Sequence, residues 1–147
     1  MEIMVFLINH PDLRMPLNFD IMDENDISYL IRGAVFTVYN ALGPGLLGSA
    51  YKTVLSYVLT EKGLKVKQQV QLPIFFEDII LNTGYRIDLL INDLVIIEIK
   101  SVETVAPVHH KQVLTYLKLS GLKLGLLVNF NSSNISVSIW RKVNGLL

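Results

Sequence analysis

The chain has no cysteine. That excludes disulfide scaffolds, thiolate zinc sites, thiol nucleophiles and iron–sulfur centres. The absence suits a reducing compartment, and a cytoplasmic location is expected. Net charge is also absent, because 13 Lys and Arg balance 13 Asp and Glu. No bulk basic field advertises nucleic acid and no acidic field advertises a basic partner, so any nucleic-acid contact must come from local clusters. Long uncharged apolar runs are lacking as well. No segment reaches the ~18 residues that a membrane span needs, and no membrane partner is expected. Met4–Ile8 is apolar but lacks a basic flank and is too short for a signal peptide. Gly43-Pro44-Gly45 lacks the Lys-Ser/Thr of a phosphate loop. No Gly-x-Ser-x-Gly nucleophile elbow occurs.

What is there is apolar material: 51% of residues are hydrophobic and only 18% are charged. At 147 residues this fits one domain with a real core. It also leaves apolar surface for a partner, so a homodimer is expected, through the edge of Ile135–Trp140 or the first helix. Met22 is followed by Asp23-Glu24-Asn25-Asp26, a strong helix start. Residues 1–21 therefore read as an appendage that need not be native, and 22–147 as the single domain.

Ile27, Leu30, Ile31, Ala34, Val38, Ala41 and Leu42 recur at helical spacing, which predicts a helix over 24–42. Gly43-Pro44-Gly45 breaks it. A second helix follows over about 47–62 and ends at Gly63. The period then changes to two, with Leu64, Val66, Val70 and Leu72 alternating with polar residues. Ile74–Phe76 and Ile79–Leu81 flank a Glu77-Asp78 turn. Tyr85–Ile91 and Leu94–Lys100 read as strands around Asn92-Asp93. A third helix runs from about 107 to 120, with Pro107 in its first turn and Gly121 as its stop. Leu124–Phe130 is the continuous apolar run of a strand covered on both faces. Ile135, Val137 and Ile139 alternate with serines as a last, half-exposed strand. The whole is an α/β chain in the order α-α-β-β-β-α-β-β, a mixed sheet flanked by helices.

The chemistry sits on the two strands around Asn92-Asp93. On the first, Ile87, Leu89 and Ile91 share one side while Arg86 and Asp88 share the other. On the second, Val95, Ile97 and Ile99 oppose Glu98 and Lys100. A strict two-residue hairpin pairs Ile91 with Leu94 and separates Asp88 from Glu98. Matching the apolar faces requires a shift of one residue, with Ile91 opposite Val95. Asp88 then stands opposite Glu98, and directly opposed Cβ atoms lie roughly 4.5–5.5 Å apart. Two carboxylates that close repel unless a proton or cation sits between them. Two hard oxygen ligands beside the Lys100 ammonium suit magnesium and phosphoryl chemistry. The pattern also admits a surface hairpin with charges on its wet face. Against this, Glu98 and Lys100 interrupt an apolar central strand, where charges are costly.

Asp88 followed by Glu98-Ile99-Lys100 resembles the signature of the PD-(D/E)XK nuclease superfamily, which has the restriction-endonuclease-like fold. More closely, the chain resembles the small GxxExxY proteins of bacteria and archaea. The stretches that carry this are Leu42-Gly43-Pro44-Gly45-Leu46-Leu47, Gly84–Leu90, Ala106-Pro107-Val108-His109 and Gly121–Phe130, spanning about 22–142. The resemblance implies an α-β-β-β-α-β core and metal-dependent phosphodiester cleavage, of DNA more than RNA. It implies Mg2+ or Mn2+ held by Asp88, Glu98 and the backbone carbonyl of Ile99, with Lys100 as the catalytic lysine. Gln112 and Tyr116 match a Q-x-x-x-Y motif that supports the site in related members, and an ordinary amphipathic helix accounts for them equally. Of G-x-x-E-x-x-Y, Gly45 and Tyr51 are present, but Gly48 stands where the glutamate belongs. In related nucleases that glutamate helps bind the metal. Two expectations follow: a nuclease weakened by Gly48, or an inactive nucleic-acid- or protein-binding module with the same fold.

Other residues are weaker candidates. His109 and His110 are adjacent and do not face one another on a helix. Lys65, Lys67, Lys111, Lys118, Lys123, Arg141 and Lys142 suit phosphate contacts or simple solvated faces. Tyr85 and Trp140 suit base stacking or core packing.

Overall fold

A computed structural model of the protein describes residues 21–82 and 84–145. Apart from Ile21, the expected appendage over 1–21 lies outside the described residues. Helix α1 (Glu24–Leu42) begins with a capping box. The Asp26 backbone N–H donates to Asp23 Oδ1, and the Asp23 N–H donates to Asp26 Oδ2. Its stripe of Ile27, Ile31, Ala34, Val35 and Val38 is buried. Helix α2 (Gly48–Glu61) buries Tyr51, Leu55 and Leu59. Five strands form one sheet: β1 (Val66–Gln71), β4 (Arg86–Ile91), β5 (Val95–Lys100), β6 (Leu124–Asn129) and β7 (Ile139–Val143), in the order β1-β4-β5-β6-β7. Strands β2 (Ile74–Phe76) and β3 (Ile79–Leu81) form a separate hairpin. Helix α3 (Pro107–Ser120) links β5 to its parallel neighbour β6. It stops at Gly121, whose φ of 73° is the left-handed conformation glycine adopts without strain. Among the described residues no helix is long and apolar enough to cross a membrane.

The hairpin shift expected from the apolar faces is the one observed. Asn92 and Asp93 both take positive φ, 51° and 55°, and Leu94 N–H donates to the Ile91 carbonyl. Leu94 falls inside the turn, so Ile91 pairs with Val95 and Leu89 with Ile97. Strand β6 is buried along its whole length, as its unbroken apolar run predicts.

Two expectations are corrected. Ile87, Leu89 and Ile91 do not share one side. Leu89 and Ile91 join the larger core with α1 and α2, whereas Ile87 joins Leu90 in the smaller core under α3. β1 switches sides at the same level: Leu64 and Val66 pack with the first core, Val70 and Leu72 with the second. Between them Gln69 has a φ of 51°. The register resumes beyond it, with Gln68 opposite Leu89 and Val70 opposite Ile87. The exchange is therefore a local rotation of both strands at Gln69 and Asp88, not a slip. The second correction concerns Ile135–Val137, which is a 3-10 turn; the last strand begins at Ile139. Asn134 Oδ1 accepts from the Ser136 N–H, and Ser132 Oγ accepts from the Asn134 N–H. Such local side-chain bonds compete with a strand ladder.

Candidate active site

Strand β5 is the middle of the sheet, and its two sides differ. Val95, Ile97 and Ile99 enter the larger core, while Ile96 packs toward α3. Glu98 and Lys100 alternate with the former, so they project on the α3 side with Ile96. Glu98 is 2% exposed, an unusual burial for a charged residue. Beyond Leu89–Ile97 the ladder between β4 and β5 gives way to side-chain bonds. The Asp88 N–H donates to Glu98 Oε1 at 3.0 Å, and the Ile99 N–H donates to Asp88 Oδ2 at 2.9 Å. Each carboxylate thus replaces a carbonyl that the diverging strands no longer supply. One oxygen of each is left over. Asp88 Oδ1 and Glu98 Oε2 have no hydrogen-bond partner among the described residues, and neither is fully shielded from solvent.

This crowding has an electrostatic consequence. The Glu98 carboxyl is pushed up to about 8, first by burial and then by the Asp88 charge. The Asp88 N–H and the Lys100 ammonium pull the other way and do not cancel it. Lys100 makes no ion pair among the described residues. On α3, Gln112 Nε2 donates to Tyr116 Oη at 2.9 Å. The tyrosine hydroxyl keeps its own proton to donate. Its acidity is weakened mainly by burial, with the Glu98 and Asp88 charges adding to that. Gln112, Tyr116 and Lys100 line a common cleft. The structure therefore gathers Asp88, Glu98, Lys100, Gln112 and Tyr116 at one end of the α3 face.

Other candidates are placed elsewhere or otherwise engaged. Tyr51 lies in the larger core, stacked on Phe130 with ring centroids 4.4 Å apart. Its hydroxyl donates to the Gly43 carbonyl and accepts from the Leu46 N–H. The motif tyrosine thus fixes the loop that precedes α2. That loop is tied to the site strand, because Ser101 Oγ donates to the Leu46 carbonyl one residue past Lys100. Gly48, two residues beyond Leu46, is half-exposed, and a Cβ there would meet nothing within 4 Å. His109 Nδ1 accepts from the Ala106 N–H. His110 packs edge-on against Trp140, and its Nδ1 is buried without a partner among the described residues. Lys65 and Lys67 both pair with Asp93, at 2.9 and 2.6 Å. Arg141 is bonded to Asn25.

Sequence reasoning missed Asn129. It is 4% exposed and ends β6 beside Lys100. Its Oδ1 accepts from the N–H groups of Val102 and Asn131, and its Nδ2 donates to the Val102 carbonyl. It thereby holds the chain as it leaves the site strand. The signal available was a lone amide within an otherwise apolar run.

Two carboxylates with one free oxygen each are a hard donor set. Magnesium commonly uses one or two carboxylates and keeps several waters. Among the described residues no group of three His, Cys, Asp or Glu side chains is placed to hold a metal. A cation here relies on the pair, backbone oxygen and water, which is the set present.

No curated protein and no solved structure matches the chain. The sequence pattern of the PD-(D/E)XK nuclease superfamily matches residues 25–142, which takes in both helices before the sheet, the carboxylate pair and α3. With this match over most of its length and a mixed five-stranded sheet between helices, the chain belongs to the PD-(D/E)XK nuclease superfamily.

Proposed function

We propose that the protein is a nuclease that hydrolyses phosphodiester bonds, DNA in preference to RNA, with Mg2+ or Mn2+ held by Asp88, Glu98 and the Ile99 carbonyl. The observation that carries this reading is the convergence of Asp88 and Glu98, each with one oxygen engaged by backbone and one left without a backbone partner. The bound ion would polarise the phosphate and acidify a coordinated water. Lys100, unpaired beside the carboxylates, stabilises the charge that develops on the phosphate oxygens and orients the attacking water. Tyr116, whose oxygen accepts from the Gln112 amide, would have its own hydroxyl proton free to donate to a phosphate oxygen. The preference for DNA follows the superfamily, and the cysteine-free composition supports a cytoplasmic location. A homodimer belongs to the same reading. It would form through the edge of Ile135–Trp140 or through α1, and the β2–β3 hairpin adds exposed apolar surface at Phe75 and Ile80.

The test is cleavage of duplex DNA, single-stranded DNA and RNA with Mg2+, Mn2+ or chelator. Metal-dependent cleavage is expected. Asp88→Asn should abolish it, and Lys100→Ala should lower kcat by about 10²–10³. If no substrate is cut and calorimetry detects no metal binding, the reading is wrong. Gly48 favours a second reading, a binding module that keeps the fold without activity. Metal binding without cleavage of any substrate would select it.

A further inference from the structure

Beside the carboxylate pair, α3 and the sheet leave an open cleft of about 380 Å³. Tyr85, Lys100, His109, Lys111, Gln112 and Tyr116 are among the residues that line it. The lining holds two ammonium groups and no carboxylate. Neither Lys100 nor Lys111 makes an ion pair among the described residues, whereas Lys65 and Lys67 share Asp93 as a partner. His109 Nδ1 is occupied by the Ala106 N–H at 3.1 Å. In the neutral ring the proton therefore sits on Nε2, a donor available to the cleft. Tyr85 is 44% exposed, with its ring centroid 6.0 Å from that of Tyr116 and the planes inclined by 50°. An open aromatic face beside free cations matches a nucleobase attached to phosphate.

We infer that this cleft is a nucleotide subsite, in which Lys111 and His109 Nε2–H hold the phosphate next to the scissile one and Tyr85 stacks on its base. Bases inside a duplex stack on one another and offer no free face, so the subsite selects a single strand or a frayed end. The inference rests on the nuclease reading for which phosphate is cut, but its binding step stands without metal.

Anisotropy titrations of the full chain in chelator, with a short oligodeoxythymidine and a blunt duplex of equal length, test it. The single strand should bind at least about tenfold more tightly. Tyr85→Ala should weaken single-strand binding roughly ten- to a hundredfold and leave the duplex unchanged. Lys111→Ala should reduce the slope of log K against log salt by about 0.7. His109→Gln keeps a side chain able to cap Ala106 and removes the ring, so it should weaken single-strand binding in a protein of unchanged Tm. No binding, equal affinity for the two forms, or indifference to Tyr85→Ala overturns the inference. Tyr85-dependent binding in a protein that cuts nothing with Mg2+ or Mn2+ upholds the subsite and sinks the nuclease reading. Cleavage of both DNA forms with KM unmoved by Tyr85→Ala does the reverse.

Discussion

On one face of the sheet, Leu89, Ile91, Ile97, Leu126 and Val128 meet the two helices α1 and α2 in the larger apolar core. On the other face α3 covers Ile87, Leu90, Ile96 and Leu127, Glu98 is still buried, and the cover opens at Lys100, which lines the cleft. The same strand, β5, serves both. Its odd-numbered residues contribute burial, and its last two even-numbered residues, Glu98 and Lys100, are the ones to which the proposed chemistry is assigned. A buried carboxylate such as Glu98 lowers stability when ionised, and the thicker face offsets that cost. This division locates the site more firmly than any one residue, and it can be broken by experiment.

The largest effect on stability should come from the thicker face. Ile97 is fully buried, and Ile97→Ala should cost about 2–5 kcal/mol through lost burial and a residual cavity. Chemical denaturation should give the same loss at pH 5 and pH 8. The neighbour Glu98 should behave oppositely. Its carboxyl titrates near 8 in the folded chain against an ordinary 4.5, so the folded state holds the proton more tightly. That contribution is fully present below about pH 4.5 and is lost as pH rises through 8. The metal-free protein should therefore lose on the order of a few kcal/mol between pH 5 and pH 8. Millimolar Mn2+ should restore most of it at pH 8 and little at pH 5, because protons compete with the ion. Glu98→Gln should flatten the pH profile and remove the response to Mn2+. A steep profile that survives Glu98→Gln would place the titrating group elsewhere.

A smaller effect should appear where the thinner face is closest. At Gly125 on β6 an added Cβ would stand 2.6 Å from Val113 Cγ1 on α3. Gly125→Ala should cost about 1–3 kcal/mol by overpacking. Because α3 also carries Gln112 and Tyr116, lifting it should reduce kcat beyond what the Tm shift explains. An unchanged kcat at a temperature where the variant is fully folded would show that α3 is only a cover.

Much of this division is legible in the sequence. The alternation along Val95–Lys100 separates the faces, matching them fixes the one-residue shift that Leu94 absorbs, and Gly121 stops α3. Other features carry no sequence mark. Gln69 takes a positive φ that usually announces itself through glycine, so the exchange of sides at Asp88 is invisible. Ile135, Val137 and Ile139 have a strand period, but Asn134 and the serines bond locally and win. The run Ile74–Leu81 reads as two ordinary strands, and nothing in it says that its side chains stay uncovered. Tyr51 reads as a site residue through its motif, whereas its hydroxyl serves the loop before α2. The pairing of each carboxylate with the other strand's backbone depends on where the ladder ends, which periodicity does not record.

Gly48 bears on both faces, because α2 belongs to the thicker one while the loop just before it is bonded at Leu46 to Ser101, the residue that follows β5. If residue 48 looks toward Asp88 and Glu98, Gly48→Glu supplies a third oxygen ligand. The helix should accept it. Residue 48 is the first helical position after Leu47, its φ is not in the left-handed range, and an added side chain meets nothing within 4 Å. Replacing glycine should gain roughly 0.5–1 kcal/mol, and a carboxylate at a helix N-terminus adds a few tenths more. Gly48→Gln separates the two contributions, since it has nearly the same helix preference without the charge. Both variants should raise the metal-free Tm slightly. Only Gly48→Glu should tighten Mn2+ binding, by about tenfold or ~1.4 kcal/mol, and raise any cleavage rate. Equal Mn2+ affinity for the glutamate and glutamine variants would mean that residue 48 does not reach the carboxylate pair. In that case the thicker face contributes stability alone, and the site is confined to the α3 side.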